Sequence, residues 1–164
     1  MKFRASLAVL FLGGAVFVYQ QAQRTPPGSN VMAVSKDDPE ILAARDKARA
    51  RLGEFLDAAA APPPGSRAFS VKYPIVDGDQ VEHFWLSYRG REGAVVIGEI
   101  DAEPQFVKNV RKGQVVRAPV ADIEDWAYVL NGKLKGGAST CVLLARHGPE
   151  QFEALKAKLG LECA

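Results

Sequence analysis

The side chains best suited to chemistry lie in two short segments. One holds the adjacent pair Glu82 and His83, and the other holds the acidic cluster Asp122, Glu124 and Asp125. A histidine near carboxylates can act as a general acid or base, or can form half of a metal site. His83 and Asp125 are therefore the candidate catalytic residues. The activity they would support is that of a small hydrolase or a metal-dependent enzyme, with the carboxylate supplied by Glu82, Asp122 or Asp125.

A structural role accounts for the same residues. Along an alternating strand His83 and Trp85 share one face while Glu82 lies on the other, as in a central strand that is covered on both sides. A neighbouring carboxylate would satisfy His83 in that setting. Asp122 would cap a helical turn or tie down a loop by accepting backbone N–H groups, with Ile123 and Trp126 anchoring it in the core.

Known catalytic spacings are mostly absent from the chain. The sequence has no His-Glu-x-x-His, no Cys-x-x-Cys, no Gly-x-Ser-x-Gly and no glycine-rich phosphate loop. His83 and His147 are the only histidines, so a histidine-rich metal site or a triad is hard to assemble. The sequence therefore predicts no metal site and no cofactor, and an enzyme is the less favoured interpretation.

The start of the chain carries the strongest local signal. Lys2 and Arg4 precede an apolar run over residues 5–19, which is the charged-then-apolar plan of a secretory signal. The run is shorter than the roughly 20 residues of a spanning helix. Residues 1–22 are predicted to be a cleaved signal peptide or, alternatively, an uncleaved membrane anchor. The protein is then exported, either periplasmic or anchored in the inner membrane with its domain outside the cytoplasm.

The charge balance of the remaining chain argues against a polyanionic partner. Of the 21 Lys and Arg residues, Lys2 and Arg4 belong to the leader, so the other 19 balance the 19 Asp and Glu. Without a basic excess, nucleic-acid binding is not expected. Contact with a membrane is expected only through the N-terminal segment, if that segment is not cleaved.

A linker and one helix follow the leader. Residues 23–33 contain two prolines and a glycine and no apolar period, which predicts a linker, and residues 34–164 are predicted to form a single domain. Asp38 and Pro39 are an N-cap and a first helical residue. They predict a long N-terminal helix that ends before Pro62. Its apolar stripe consists of Ile41, Ala44, Ala48, Leu52, Phe55 and Ala59.

Beyond the helix the apolar period changes to two, which predicts strands. Asp77-Gly78 and Asn131-Gly132 are typical hairpin dipeptides, and Gly148-Pro149 predicts a short C-terminal helix through residue 159. The fold class is therefore α+β, with the long helix packed on an antiparallel five- or six-stranded meander sheet. The predicted strands cover residues 69–76, 80–88, 94–100, 126–130 and 139–145.

The two cysteines, Cys141 and Cys163, belong to a chain bound for an oxidising compartment. A strand from Cys141 to residue 145 would rise by about 13 Å, and the last helix would return by roughly 16 Å, so the two ends could meet. The sequence thus predicts a disulfide. The alternative is a buried Cys141 that acts as a small apolar residue and a spare thiol at Cys163.

Several short blocks of sequence resemble a known family. They are residues 34–40, 69–72, 81–86, 107–110 and 123–128, followed by Gly132 and Gly136. In this order, over residues of about 34 to 145, the chain resembles a bacterial family catalogued only as domain of unknown function 2314. The resemblance implies a compact α+β fold and implies no catalytic residues. The leader and a C-terminal helical extension over 146–164 lie outside it.

Binding is the function that the sequence favours. An exported, non-catalytic envelope module would bind another protein or a peptide, through exposed aromatics or an unpaired sheet edge. The side chains expected to take part are Glu82, His83, Trp126 and Tyr128. The hydrolase or metal enzyme instead requires His83 and the acidic cluster to converge in an open pocket.

Overall fold

The computed structural model describes residues 37–146 and 148–163. The chain divides into two units, Met1–Lys36 and Asp37–Ala164, and every described residue belongs to the second. The predicted leader at 1–22 and the linker at 23–33 lie outside the described residues, as does His147. Among the described helices, none is both long and apolar enough to cross a membrane.

The described residues form an α+β fold of four helices, six strands and one 3-10 turn. In chain order these are α1 (Pro39–Ala50), α2 (Leu52–Ala60), β1 (Ser66–Asp77), β2 (Gln80–Glu92), β3 (Val95–Ile100), β4 (Val115–Pro119), the 3-10 turn Val120–Asp122, β5 (Asp125–Leu130), β6 (Lys133–Gly136), α3 (Ala138–Ala145) and α4 (Pro149–Leu159).

The N-terminal helix begins as predicted but is not one long helix. Asp38 is the N-cap, and its carboxylate accepts the backbone N–H groups of Glu40 and Ile41. The helix breaks at Arg51, whose φ of −110° and ψ of 8° are not helical. The carbonyl oxygen of Ala48 accepts both the N–H of Arg51 and the indole N–H of Trp126. This tertiary hydrogen bond competes with helical bonding and divides α1 from α2.

The six strands form one antiparallel sheet in the order β4-β3-β2-β1-β5-β6. The predicted meander is therefore correct for the first three predicted strands, β1 to β3, whereas β4 and β6 are not among the predicted strands. β5 does not pair with β4 but crosses to the free edge of β1, where Val71 lies opposite Trp126. Asp125, Trp126 and Ala127 are all buried at that position, which explains why β5 occupies an interior place in the sheet.

The two predicted hairpin turns are both present. Asn131 and Gly132 have φ values of 50° and 82°, as a two-residue turn of this type requires, and they join β5 to β6. The first turn lies one residue later than predicted, because Asp77 pairs with Gln80 and leaves Gly78 and Asp79 as its central residues.

The segment predicted as the last strand, residues 139–145, is instead helix α3. Short apolar runs do not distinguish a strand from a buried helix. The decisive contact is made by Asp125, whose carboxylate accepts the N–H groups of Ala138 and Ser139 at the start of α3. The closing helix Pro149–Leu159 is present as predicted.

The core lies between one face of the sheet and the two N-terminal helices. Phe55 of α2 is completely buried, and its ring centroid lies 5.7 Å from that of Tyr88 and 5.9 Å from that of Trp126. On β2 the buried positions alternate with half-buried or exposed ones, and His83 and Trp85 belong to the second set. The prediction that this strand is covered on both sides is therefore wrong for the His83 face.

Candidate functional site

A groove beside α1 holds a cavity of about 390 Å³. This size falls within the range of small-ligand pockets. Five residues of α1 and Arg51, which directly follows the helix, line it at intervals of three, four or one, so that one face forms a wall, called here the α1 wall. The lining residues are Glu40, Ala43, Ala44, Lys47 and Ala48 of α1, Arg51 after it, Asp125 and Trp126 of β5, and Gly136, Ala138, Cys141, Val142, Glu162 and Cys163.

The groove has an apolar interior and a charged rim. Its α1 wall contains three alanines, and Ala44 and Ala48 are buried while Ala43 is exposed. Alanine suits a helix, and its short side chain leaves the space that forms the cavity. The side chains of Glu40 and Arg51 are 69% and 50% exposed. The site therefore offers apolar contact in its interior and charged groups where it meets solvent.

Trp126 lines the interior of the groove and is not a surface aromatic. Only 2% of it is exposed, and its indole N–H donates to the carbonyl oxygen of Ala48 at 2.8 Å. Tyr128 is half-buried and stacks on Phe69, with ring centroids 4.8 Å apart. The expectation of exposed binding aromatics is thus wrong for Trp126, which is anchored in the core as the structural interpretation predicted.

Asp125 is completely buried and joins β5 to α3. One carboxylate oxygen accepts the N–H of Ser139 at 2.8 Å and its hydroxyl at 2.7 Å. The other accepts the N–H of Trp126 at 2.8 Å and, at 3.3 Å, the N–H of Ala138. Burial raises the pKa of Asp125, although these donors oppose the effect. All four hydrogen bonds are accepted ones, so the carboxylate form suits the site.

Lys72 completes this buried polar cluster. Its ammonium group donates to the hydroxyl oxygen of Ser139 at 3.2 Å. Burial lowers the pKa of Lys72, while the nearby carboxylates of Asp125 and Glu124 counteract the shift. Sequence reasoning missed Lys72 and Ser139, because neither belongs to a recognisable motif.

His83 pairs with Glu124 and not with Asp125. The Nδ1 atom of His83 lies 2.6 Å from a carboxylate oxygen of Glu124, whose other oxygen lies 3.2 Å from the guanidinium of Arg45. The predicted carboxylate partner of His83 is thus present. Burial by itself would raise the pKa of Glu124, but hydrogen bonds and charge from His83 and Arg45 outweigh it and lower the pKa. The His83 side chain remains 44% exposed.

Glu82 and Asp122 lie away from this pair. Glu82 shares its face of β2 with the core, and its buried carboxylate accepts the N–H groups of residues 105–107. It therefore fixes the loop between β3 and β4. Asp122 ends the 3-10 turn and is exposed. In this acidic cluster it is Asp125 that accepts backbone N–H groups, those of Trp126, Ala138 and Ser139.

The candidate catalytic residues do not converge on one pocket. Asp125 is engaged with α3, His83 with Glu124, and Glu82 with a loop on the other face of the sheet. Within residues 37–146 and 148–163, no group of three or more His, Cys, Asp or Glu side chains is arranged to hold a metal ion. Only Asp125 of the sequence-predicted catalytic pair reaches the groove.

Cys141 of α3 and Cys163 after α4 meet in the groove. Their Sγ atoms are 2.04 Å apart and their Cα atoms 5.7 Å apart, as in the disulfide that the sequence predicted, although Cys141 reaches it from a helix. The pair anchors the C-terminal tail, defined here as residues 160–163. The tail also lies along β6, where the N–H of Leu134 donates to the carbonyl oxygen of Gly160 at 2.7 Å.

Comparisons with known proteins place the chain among uncharacterised relatives. Residues 38–163 match the model of a family described as "Uncharacterized protein conserved in bacteria (DUF2314)". The match includes α4 and both cysteines, so it extends past residue 145, where the sequence resemblance ended. No solved structure matches the chain.

Two curated relatives cover part of the chain. The uncharacterized protein YegJ of Escherichia coli is 38% identical over 91 residues, which are 56% of this chain and 60% of that protein. A Neisseria meningitidis protein named for ankyrin repeats is 39% identical over 71 residues, which are 41% of this chain and 28% of that protein. The chain thus spans less than two thirds of the length of either relative.

Proposed function

The chain belongs to the DUF2314 family of uncharacterized bacterial proteins, and we propose that this member is an exported envelope protein that binds a protein or peptide segment without catalysing a reaction. The groove beside α1 is the observation that carries the proposal. It combines an apolar interior of about 390 Å³ with charged groups at its rim, which is the composition of a recognition site.

The dimensions of the groove suit an extended chain. Its α1 wall runs from Glu40 to Arg51, which corresponds to about 16 Å along a helix axis. An extended peptide rises roughly 3.3 Å per residue, so a segment of about five residues would occupy this length. The exposed side chains of Glu40 and Arg51 would then contact polar groups of the ligand at the two ends of the wall.

The arrangement of the titratable groups favours binding over catalysis. A general acid or base must reach the reacting atoms, whereas Asp125 makes four hydrogen bonds to the protein and is completely buried. His83 is solvent-exposed and pairs with Glu124 outside the groove. Neither residue is therefore poised over a ligand in the groove.

Two further features support an exported binding module. The charged-then-apolar segment over residues 1–19 is typical of export, and a disulfide is the expected state of two adjacent cysteines in an oxidising compartment.

Site-specific photo-crosslinking in cells tests the proposal. A photoreactive phenylalanine analogue at Ala43, an exposed position in the groove, should form a crosslink to a discrete partner. The same analogue at Ala50, which is exposed on α1 but does not line the groove, is the matched control. Equal crosslinking from both positions, or none from either, would refute a groove-specific partner.

A blocking substitution gives an independent readout. Ala43→Trp should fill the groove and abolish copurification of the crosslinked partner with the full-length protein, because the indole would occupy the space of the ligand. Ala50→Trp adds the same side chain to the same helix outside the groove and should retain the partner. Circular dichroism should show that both variants remain folded.

A further inference from the structure

We propose that the Cys141–Cys163 disulfide is a reactive bond that a dithiol protein of the envelope reduces, and that its reduction releases the C-terminal tail and opens the groove. The proposed release of the tail rests on the exposure of the two cysteines and on the contacts that the tail makes. The effect on ligand binding rests on the proposed function of the groove.

The position of the disulfide makes it accessible to a thiol. Both cysteines line the groove and neither is fully buried. Access to solvent is one requirement for thiol–disulfide exchange. Glu162, which precedes Cys163 and also lines the groove, has a side chain that is 44% exposed, so this end of the tail lies at the rim.

Without the disulfide, the tail is held by one buried side chain, by backbone hydrogen bonds to β6 and α4, and by ion pairs at the surface. Leu161 is buried and forms an isolated parallel bridge with Leu134 of the edge strand β6. Glu162 forms ion pairs with Lys133 and Lys135 at the surface, and such pairs contribute little stability. The tail is therefore held mainly at one strand edge, where local opening is easiest.

Release of the tail would leave the main core intact. The buried apolar cluster consists of side chains from α1, α2, the sheet and the loop between β3 and β4, and the tail contributes none of them. Glu162 and Cys163, by contrast, both line the groove. Movement of the tail would thus change the width of the groove and expose the buried side chain of Leu161, but it would leave this main cluster covered.

The exchange is a two-electron reaction. A thiolate of the partner attacks the Sγ atom of Cys163, the Cys141–Cys163 bond breaks, and Cys141 leaves as a thiolate that takes up a proton. The second thiol of the partner loses its proton and attacks the mixed disulfide, which releases Cys163 as a thiol. The chain gains two electrons and two protons, and the partner becomes the oxidised disulfide.

Hydrogen exchange of the full-length protein, with dithiothreitol as the dithiol probe, tests whether reduction releases the tail. Reduction without denaturant should lower the protection of the Leu134 amide, which donates to the carbonyl oxygen of Gly160 in the tail, by roughly tenfold or more, while the amides of β1 and β2 keep theirs. The double variant Cys141→Ser and Cys163→Ser should behave like the reduced protein. Glu162→Gln, which keeps the disulfide, should behave like the oxidised one.

Three results would overturn the proposal: a disulfide that dithiothreitol reduces only in denaturant, a reduced protein whose Leu134 amide stays protected, or reduction that unfolds the sheet. Each result would mean that the disulfide only stabilises the fold. Crosslinking from Ala43 separates the two proposals. If the crosslink forms equally in both redox states, the groove binds its partner but reduction does not regulate it. If it forms in neither state while the tail is released, the proposed function fails and the reactive disulfide stands.

Discussion

Asp125→Asn tests whether one buried carboxylate holds the start of α3 against β5. The asparagine keeps the shape of the side chain but replaces one acceptor oxygen with an NH₂ group, which then faces a donor. Either oxygen position receives two hydrogen bonds in the protein, from Ser139 in one case and from Trp126 and Ala138 in the other. At least two accepted hydrogen bonds are therefore lost.

The magnitude follows from the buried setting. Hydrogen bonds to a charged group contribute about 1.5–3 kcal/mol each, and an unsatisfied buried donor adds a penalty of its own. Since Asp125 has no exposed surface, water cannot replace the lost partners. We expect the free energy of unfolding to fall by about 3 kcal/mol after allowance for local relaxation. Burial raises the pKa of Asp125 and so opposes its charge, which places the loss below the sum of two such bonds.

Urea unfolding of the full-length protein, followed by tryptophan fluorescence, measures the effect, because Trp126 adjoins the substituted residue. Asp46→Asn is the matched control, since Asp46 is an exposed residue of α1, and it should change stability by less than about 0.5 kcal/mol. A loss below about 1 kcal/mol for Asp125→Asn would refute the argument that this carboxylate holds α3.

Three further predictions concern other positions. Glu82→Gln should cost about 2 kcal/mol and speed proteolysis within residues 101–114, as mass spectrometry of the fragments would show; unchanged cleavage there contradicts the anchoring role. The pKa of Glu124 is lowered on folding, so its stabilising effect is complete above its ordinary value and is lost as the pH falls through the lowered one. Melting temperatures from pH 6 to pH 3 should therefore fall less steeply in Glu124→Gln, and equal slopes would contradict this. Gly136→Ala should destabilise more than Gly132→Ala in thermal melts, because both have positive φ but only the first Cβ would overlap β5; equal losses would contradict the close approach.

Local signals in the sequence predicted the elements whose causes are local. The cap at Asp38, the turn at Asn131-Gly132 and the closing helix that starts at Pro149 all depend on the conformations of a few neighbouring residues, and all three are present. The disulfide was also predictable, because a chain with two cysteines has only one intramolecular pairing available.

The errors concern contacts between residues far apart in the chain. The break at Arg51 depends on the indole of Trp126, and the start of α3 depends on the carboxylate of Asp125. Neither partner lies within the short segment of sequence whose apolar period is used to predict the helix. The place of β5 beside β1 has the same origin, because strand order follows from which edge best buries a strand and not from chain order.

The acidic cluster before Trp126 shows why residue types alone do not assign a role to a carboxylate. A carboxylate that accepts several buried N–H groups and a carboxylate that acts as a base have the same sequence signature, since both adjoin a turn and an aromatic anchor. The structure shows the setting of this carboxylate. Asp125 is completely buried, and it accepts four hydrogen bonds from the start of α3 and from the strand that carries it.

The buried contacts of Asp125 and Trp126 also explain where the groove forms. Asp125 and Trp126 fix β5, α1 and α3 to one another, and the alanines of α1 are too short to fill the space that remains between these elements. In the sequence those alanines look the same as the apolar face of a closely packed helix. The apolar period shows which face of a helix is apolar, but it does not show how close the neighbouring elements lie to that face. A groove formed by small residues beside a rigid junction is therefore a tertiary property, and its ligand would contact the wall at Ala43 without disturbing the buried anchors.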